Sequence, residues 1–139
     1  MSDCIFCDIV AGTAPSRQVY ADDDVIAFLD IRPVKPGHTL VIPRNHSRGL
    51  RDLAPADGEK MFAVGQKVAI AMRTALDVDG VNLVVNDGRA AMQTVFHTHL
   101  HVIPRHRGDK LSFAKSLVVR RDPHPDATAA KLRRALDQS

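Results

Sequence analysis

Short apolar segments bounded by turn residues, together with one longer segment of helical periodicity, predict an antiparallel sheet and one long helix. From Pro55 to Leu76, apolar residues recur at spacings of three and four, the pattern of an amphipathic helix. Short helices are expected at residues 5–10 and 127–136. Because the apolar segments that predict strands lie before and after one long helix and are joined by tight turns, we predict the α+β class. The five predicted strands cover residues 18–20, 25–29, 38–42, 81–85 and 94–103.

Length and composition favour a single domain of residues 1–139. Hydrophobic residues make up 45% of the 139 positions and charged residues 25%, a mixture typical of globular proteins. No segment approaches the roughly 18 uncharged apolar residues of a membrane span, and the start Met1-Ser2-Asp3-Cys4 is unlike a signal peptide. Two cysteines are too few for a secreted disulfide scaffold. We therefore expect a cytoplasmic protein that does not contact a membrane.

Charge is uneven along the chain, although the formal net charge is only +3. Residues 1–30 carry six Asp and one Arg, whereas residues 105–121 carry six Lys or Arg and one Asp. Such a basic segment is compatible with a phosphate-bearing small molecule, a nucleic acid or a merely solvated surface. Single-strand binders stack bases on interleaved aromatic residues, and Phe113 is the one aromatic residue in this segment. We therefore expect no nucleic-acid polymer as partner.

Three alternating histidines, His97, His99 and His101, lie in the predicted fifth strand. Side chains two residues apart on a strand share a face, so the three imidazoles would form a row. Such a row would bind a metal or would provide a nucleophile for phosphoryl chemistry, with neighbouring imidazoles as helpers. Alternate residues advance roughly 6.5–7 Å along a strand, which spreads the row too far for one ion. The spacing favours the nucleophile.

The segment from His97 to Ile103 resembles the signature of the histidine triad (HIT) superfamily of nucleotide hydrolases and transferases. The resemblance covers residues 3–107, leaves 108–139 as a C-terminal extension, and is closest to the bacterial branch related to histidine-triad nucleotide-binding proteins. It implies a HIT-like α+β fold, with a five-stranded antiparallel sheet, one long helix and short additional helices. The other segments that resemble the family, in the family order, are Cys4–Cys7, Val25–Ile31, Pro36–Pro43 and Val84–Gly88.

The resemblance implies a reaction at the α-phosphate of a purine nucleotide. His99 would be the nucleophile, forming a nucleotidyl-histidine that water hydrolyses. His101 would contact the phosphate or leaving group, and His97 and His38 would complete the cluster. The substrate would be a nucleoside phosphoramidate, an adenylate or a dinucleoside polyphosphate, and no organic cofactor is implied.

The substrate-binding residues also follow from the resemblance. Asp30 matches the acid that holds the ribose hydroxyls, and a carboxylate is a two-oxygen acceptor suited to a diol. The family usually has glycine directly before its glutamine, whereas this chain has Met92, which reaches left-handed backbone angles only at a cost. The implied phosphate and leaving-group contacts are Asn86, Gln93 and Thr94, and the implied wall of the base pocket is Phe6, Ile9 and Phe28.

Cys4 and Cys7 form a Cys-x-x-Cys pair that is equally compatible with two buried thiols and with a metal site. Zinc-carrying bacterial relatives of the family add two histidines, here His46 and His97. The resemblance therefore implies one structural Zn²⁺ per chain, bound by these four residues. The remaining histidines, His106 and His124, are expected at the surface.

Two further functional classes stay open beside catalysis. A nucleotide-binding signalling or scaffold protein would keep the pocket without turnover, and a metal-storage or metal-sensing module would use the histidines and cysteines as ligands. The resemblance also implies a homodimer whose sheet continues across the interface, for which the open edges of a small sheet are suited.

Overall fold

The computed structural model of the protein describes residues 3–138. Within that range it has five strands and four α-helices, which confirms the predicted α+β fold. The strands are β1 (Gln18–Ala21), β2 (Val25–Leu29), β3 (Thr39–Pro43), β4 (Gly80–Val85) and β5 (Leu100–Arg105). The helices are α1 (Ile5–Ala11), α2 (Pro55–Ala75), α3 (Lys110–Ser116) and α4 (Pro125–Asp137).

All strand pairs are antiparallel, in the order β1-β2-β3-β5-β4. Strand β2 is buried along its whole length because it has apolar side chains on both faces. Val25, Ala27 and Leu29 face one core, whereas Ile26 and Phe28 face another. The sheet is therefore covered on both sides.

Helices α2 and α4 cover the first face of the sheet. The predicted apolar stripe of α2 is buried there, and α4 adds Ala129, Leu132 and Leu136 to the same core. Gly65 lets α2 lie close to the sheet, because a Cβ at this position would overlap the Leu100 side chain. No helix within residues 3–138 is both long and apolar enough to cross a bilayer.

Helix α1 lies on the opposite face of the sheet. Cys4 caps its N-terminus, and the chain leaves it at Gly12, whose φ of 79° is readily adopted by glycine. Phe6 and Ile9 are its buried residues, and they pack in the core that contains Phe28 of β2. The histidines lie on this side of the sheet.

The structure differs from the predicted elements in two places. Strand β5 begins at Leu100 rather than at residue 94, because the preceding backbone pairs with a loop: the Thr98 N–H donates to the Ser47 carbonyl at 2.8 Å. Helix α3 was not predicted, since it buries none of its residues and so leaves no apolar periodicity. The C-terminal extension thus contains two helices rather than one.

Candidate active site and metal centre

His99 lies just before β5, and its hydrogen bond determines which ring nitrogen is free. The Nδ1 atom is 2.7 Å from the carbonyl oxygen of His97. Because that oxygen can only accept, Nδ1 carries the proton and Nε2 keeps its lone pair. Burial lowers the pKa of His99 below its usual value. The ring therefore presents an unprotonated Nε2, the form in which an imidazole is nucleophilic.

His38 and His101 form a hydrogen-bonded pair with a fixed direction. The Val34 N–H donates to Nδ1 of His38 at 3.1 Å, so His38 carries its proton on Nε2. That proton is donated to Nδ1 of His101, 2.9 Å away. The remaining nitrogen of His101, Nε2, must then be a donor, and it is buried without a hydrogen-bond partner among residues 3–138.

Both rings of the pair are neutral near pH 7. Burial, followed by the neighbouring His101, lowers the pKa of His38 to about 3. Burial and then His99 lower the pKa of His101 to about 4. The ring centroids of His99 and His101 are 4.9 Å apart. A free lone pair on His99 therefore lies beside a free N–H donor on His101.

The three triad histidines do not form one row on a strand. Only His101 lies within β5, whereas His97 and His99 precede it. His97 turns toward the cysteines, so the predicted strand geometry was wrong for this histidine. The triad joins two sites, one around the cysteines and one around His99 and His101.

Asp30 follows β2 directly and lies beside the histidine pair. One carboxylate oxygen accepts the Arg32 N–H at 2.9 Å, and the other is 3.8 Å from Nε2 of His38. Burial raises the pKa of Asp30. Its side chain keeps 18% of its surface exposed, which leaves it open to a ligand.

Gln93 is buried and uses its side-chain amide to hold a loop. Its Oε1 accepts the Gly88 N–H, and its Nε2 donates to the carbonyls of Arg48 and Val95, at 2.8 to 3.0 Å. A contact from Gln93 to substrate stays a prediction, as do those of the half-buried Asn86 and the exposed Thr94. These two lie at the ends of the segment that Gln93 holds.

Met92 adopts the left-handed conformation that the family's glycine would adopt readily. Its φ is 74° and its ψ is 20°, and its side chain is 72% exposed. The fold therefore keeps the glycine-like backbone at this position and imposes it on a residue that carries a Cβ. The backbone is consequently strained here.

Phe6, Ile9 and Phe28 are core residues, each at most 6% exposed. The ring of Phe6 contacts those of His99 and His97 edge-on, with centroids 5.1 and 6.0 Å apart. Phe6 thus packs against two of the histidines, and contact of Phe6, Ile9 and Phe28 with a base stays a prediction.

Cys4, Cys7, His46 and His97 form a compact cluster of metal-ligating atoms, all within 4.8 Å of one another. Nδ1 of His97 is 3.5 Å from each cysteine sulfur and 3.2 Å from Nδ1 of His46. Nδ1 of His46 is 3.3 Å from the Cys7 sulfur. A tetrahedral zinc site has edges of about 3.6 Å between sulfur and nitrogen ligands and about 3.4 Å between two nitrogens. The distances fit zinc.

Hydrogen bonds outside the cluster also prepare it for a metal. Nε2 of His97 donates to the Pro43 carbonyl at 2.8 Å, which leaves the Nδ1 lone pair facing the cluster. The single lone pair on Nδ1 of His97 cannot accept hydrogen bonds from both cysteines and His46 at once. A cation at the centre of the cluster would bind all four ligand atoms. The Cys7 N–H donates to the Cys4 sulfur at 3.4 Å, which holds that sulfur in place at the N-terminus of α1. These contacts are compatible with zinc.

A second group of potential ligands, formed by Asp30, His38 and His101, does not fit a metal. A ligand from His38 would have to be Nε2, which carries the proton because Nδ1 accepts from Val34. Within this group, His38 and His101 form a hydrogen-bonded pair, and Asp30 lies beside it at 3.8 Å from His38.

Sequence reasoning missed Arg120, which lies in the C-terminal extension. Its charge acts on Asp30, His38 and His101, although it is far from them in sequence. The signal that pointed to it was the excess of basic residues between positions 105 and 121.

Comparison with known proteins places the chain in a family. The family model described as HIT domain matches residues 11–108. An uncharacterised HIT-like protein from Mycobacterium tuberculosis is 50% identical over 135 residues, which cover 97% of this chain and 94% of that protein. The crystal structure of a Zn-bound histidine triad family protein from Mycobacterium smegmatis, 50% identical, has a TM-score of 0.90 and covers 98% of this chain and 94% of its own. An adenylylsulfatase from Arabidopsis thaliana is 39% identical over 116 residues, 84% of this chain and 59% of that protein. With this fold, this histidine arrangement and these relatives, the chain belongs to the HIT family.

Proposed function

We propose that the protein is a nucleotide hydrolase that breaks a bond at the α-phosphate of a purine nucleotide through a nucleotidyl-histidine on His99. The observation that carries the proposal is the hydrogen bond from Nδ1 of His99 to the His97 carbonyl, which leaves Nε2 as a free lone pair. The similarity to an adenylylsulfatase supports a reaction of this type.

In the first step, Nε2 of His99 attacks the α-phosphorus. A phosphorus–nitrogen bond forms, and the bond to the leaving group breaks, with the electron pair leaving on that group. The N–H on Nε2 of His101 donates a hydrogen bond to a phosphate or leaving-group oxygen, held in place by His38. Donors positioned where charge develops stabilise such a transition state.

In the second step, water attacks the same phosphorus. A phosphorus–oxygen bond forms, the electron pair of the phosphorus–nitrogen bond returns to Nε2 of His99, and the proton of water goes to solvent. Asp30 would accept the ribose hydroxyls, while Asn86 and Thr94 would donate to phosphate oxygens from the loop that Gln93 holds.

The cysteine cluster would hold one zinc ion with a structural role. Bound zinc would cross-link α1 to the loop that carries His46 and to His97. The zinc would act by fixing the position of His97. The Nδ1 atom of this ring would bind the ion, while its Nε2 atom donates to the Pro43 carbonyl.

We further propose a cytoplasmic homodimer that pairs through β4. This strand lies at the edge of the sheet, and it exposes Val84 and Val85, which are 39% and 38% accessible. Light scattering would show a dimer's mass for the wild type. A monomer's mass at micromolar concentration would contradict this pairing.

The experiment that tests the mechanism compares His99→Ala with the wild type on several adenine nucleotides. We expect turnover to fall by a factor on the order of 1,000 or more while nucleotide binding persists. Rapid quenching of the wild type at alkaline pH should trap one nucleotide on the peptide that contains His99. His106→Ala, at an exposed histidine, is the matched control. Near-normal turnover in His99→Ala would exclude the covalent route, and binding without any wild-type turnover would favour a scaffold protein.

A further inference from the structure

Two buried side-chain atoms lack a hydrogen-bond partner among residues 3–138, namely Nε2 of His101 and Nε of Arg120. Both are donors, because a guanidinium carries protons on all its nitrogens and the His101 tautomer is determined by His38. Buried donors are nearly always paired in proteins. The charge of Arg120 acts on His101, and two unpaired donors that interact in this way indicate a ligand rich in acceptors.

The chain that follows Arg120 is anchored beside Asp30 and His38. Asp122 accepts the N–H of His124 and the hydroxyl of Thr128, each at 2.7 Å, which anchors the segment to the start of α4. Asp122 also lines a cavity of about 50 Å³ together with Asp30 and His38. The extension therefore returns to the end of the sheet where the histidine pair lies.

The charge of Arg120 acts on the pKa values of Asp30, His38 and His101. The pKa of His38 is lowered by burial, then by His101 and then by Arg120. The pKa of His101 is lowered by burial, then by His99 and then by Arg120. Burial raises the pKa of Asp30, and Arg120 opposes that rise. Arg120 takes part in none of the ion pairs of the described residues. Its charge is thus available to a substrate.

A fixed cation at this position distinguishes between leaving groups. An amine that leaves a phosphoramidate must take up a proton, and the neutral His101 offers a hydrogen bond rather than a readily released proton. A sulfate or phosphate leaves as an anion without needing a proton. The planar guanidinium matches the oxygens of such a group and stabilises the charge that develops on them.

We propose that Arg120 binds the leaving group and that the preferred substrates are purine nucleotides whose leaving group is a sulfate or phosphate anion. This inference rests on the proposed nucleotidyl-histidine reaction at His99. When Nε2 of His99 bonds to phosphorus, the phosphorus–oxygen bond to the leaving group breaks. The electron pair stays on the departing oxygen, and Arg120 keeps all its protons.

The kinetic test compares two substrates, adenosine 5′-phosphosulfate and adenosine 5′-phosphoramidate. We expect Arg120→Gln to lower kcat/KM for the phosphosulfate by roughly 10- to 100-fold, the effect of a lost charge-assisted hydrogen bond. The phosphoramidate value should change by less than about threefold, since its leaving group is an amine. Arg121→Gln removes the same charge at an exposed neighbour and should leave both values unchanged.

A binding measurement separates failure of this inference from failure of the reaction. Calorimetry on His99→Ala, with and without Arg120→Gln, measures affinity for both intact nucleotides. A selective loss of phosphosulfate affinity supports the role of Arg120 even if the wild type hydrolyses neither compound, an outcome that would refute only the reaction. Equal losses for both nucleotides would show that Arg120 binds the α-phosphate, and unchanged affinities would show no role; either result overturns the inference.

Discussion

Replacing Met92 with glycine should stabilise the protein, because the fold imposes a glycine conformation there. The φ of 74° costs a residue with a Cβ about 1–2 kcal/mol relative to its preferred angles. Glycine removes this cost. It also makes the unfolded chain more flexible, which reduces the gain in the free energy of unfolding by about 0.4–1 kcal/mol. The side chain is 72% exposed, so little packing is lost. The expected net gain is about 0.5–1 kcal/mol.

For a chain of this length, that gain corresponds to a rise in Tm of roughly 2–4 °C. Thermal and urea unfolding of Met92→Gly and the wild type, in one zinc-containing buffer, would measure it. Met92→Ala is the matched control, because it keeps the Cβ and should leave stability nearly unchanged. A glycine variant that is equally or less stable than the wild type would refute the assignment of backbone strain to this position.

Three other perturbations probe the remaining parts of the site. Cys4→Ser should lower the zinc content of protein purified without added metal and should lower Tm; equal zinc in the wild type and the variant would argue against the four-ligand site. His38→Gln should lower kcat by roughly 10- to 100-fold with little change in KM, since it removes the acceptor for the Val34 N–H and the imidazole that orients His101; an unchanged kcat would contradict a catalytic role for the His38–His101 pair. Because the folded pKa of His38, about 3, lies below its unfolded value, its contribution to stability is complete above about pH 6.5 and is lost as pH falls toward 3. Urea unfolding between pH 6.5 and 5 should therefore show a shallower loss for His38→Gln than for the wild type, and parallel curves would contradict this linkage.

Most of the fold could be predicted because its signals are local. Strand β2 could be predicted with correct bounds at Val25 and Leu29, since its uninterrupted apolar run lies between two aspartates and both of its faces are buried. Helix α2 could be predicted from its apolar stripe for the same reason. Helix α3 could not, because nothing in its pattern of side chains is buried.

The triad shows where a local pattern misleads. Histidines at every second position have the period of a strand, yet the backbone between His97 and His99 bonds to a loop instead of a neighbouring strand. Thr98 donates to Ser47 from the segment after β3, a pairing distant in sequence that no window around the triad contains. The histidines of the site could be predicted from the sequence. The separation of His97, in the cysteine cluster, from His99 and His101 depends on this tertiary contact and could not.

The tautomers of the histidines could not be predicted from side chains at all, because their partners are backbone groups. The carbonyls of Pro43 and His97 and the N–H of Val34 determine which nitrogen of each ring carries the proton. Side-chain identity says nothing about the positions of such groups. Arg120 was missed for a related reason, since only the returning extension brings it to Asp30.

His97 connects the two clusters, which gives the cysteine site a consequence for the proposed reaction. Its ring is held between the cysteines and the Pro43 carbonyl, and its own carbonyl accepts from Nδ1 of His99. Any group that fixes the His97 ring therefore restricts the peptide that selects the reactive nitrogen of His99. Phe6 adds a second connection, since its ring packs against both imidazoles from α1, the helix that begins at Cys4. Catalytic groups must be held within about 0.5 Å of their productive geometry. The metal-ligating residues Cys4, Cys7 and His46, which would not contact the substrate, would thus determine how accurately His99 is oriented toward it.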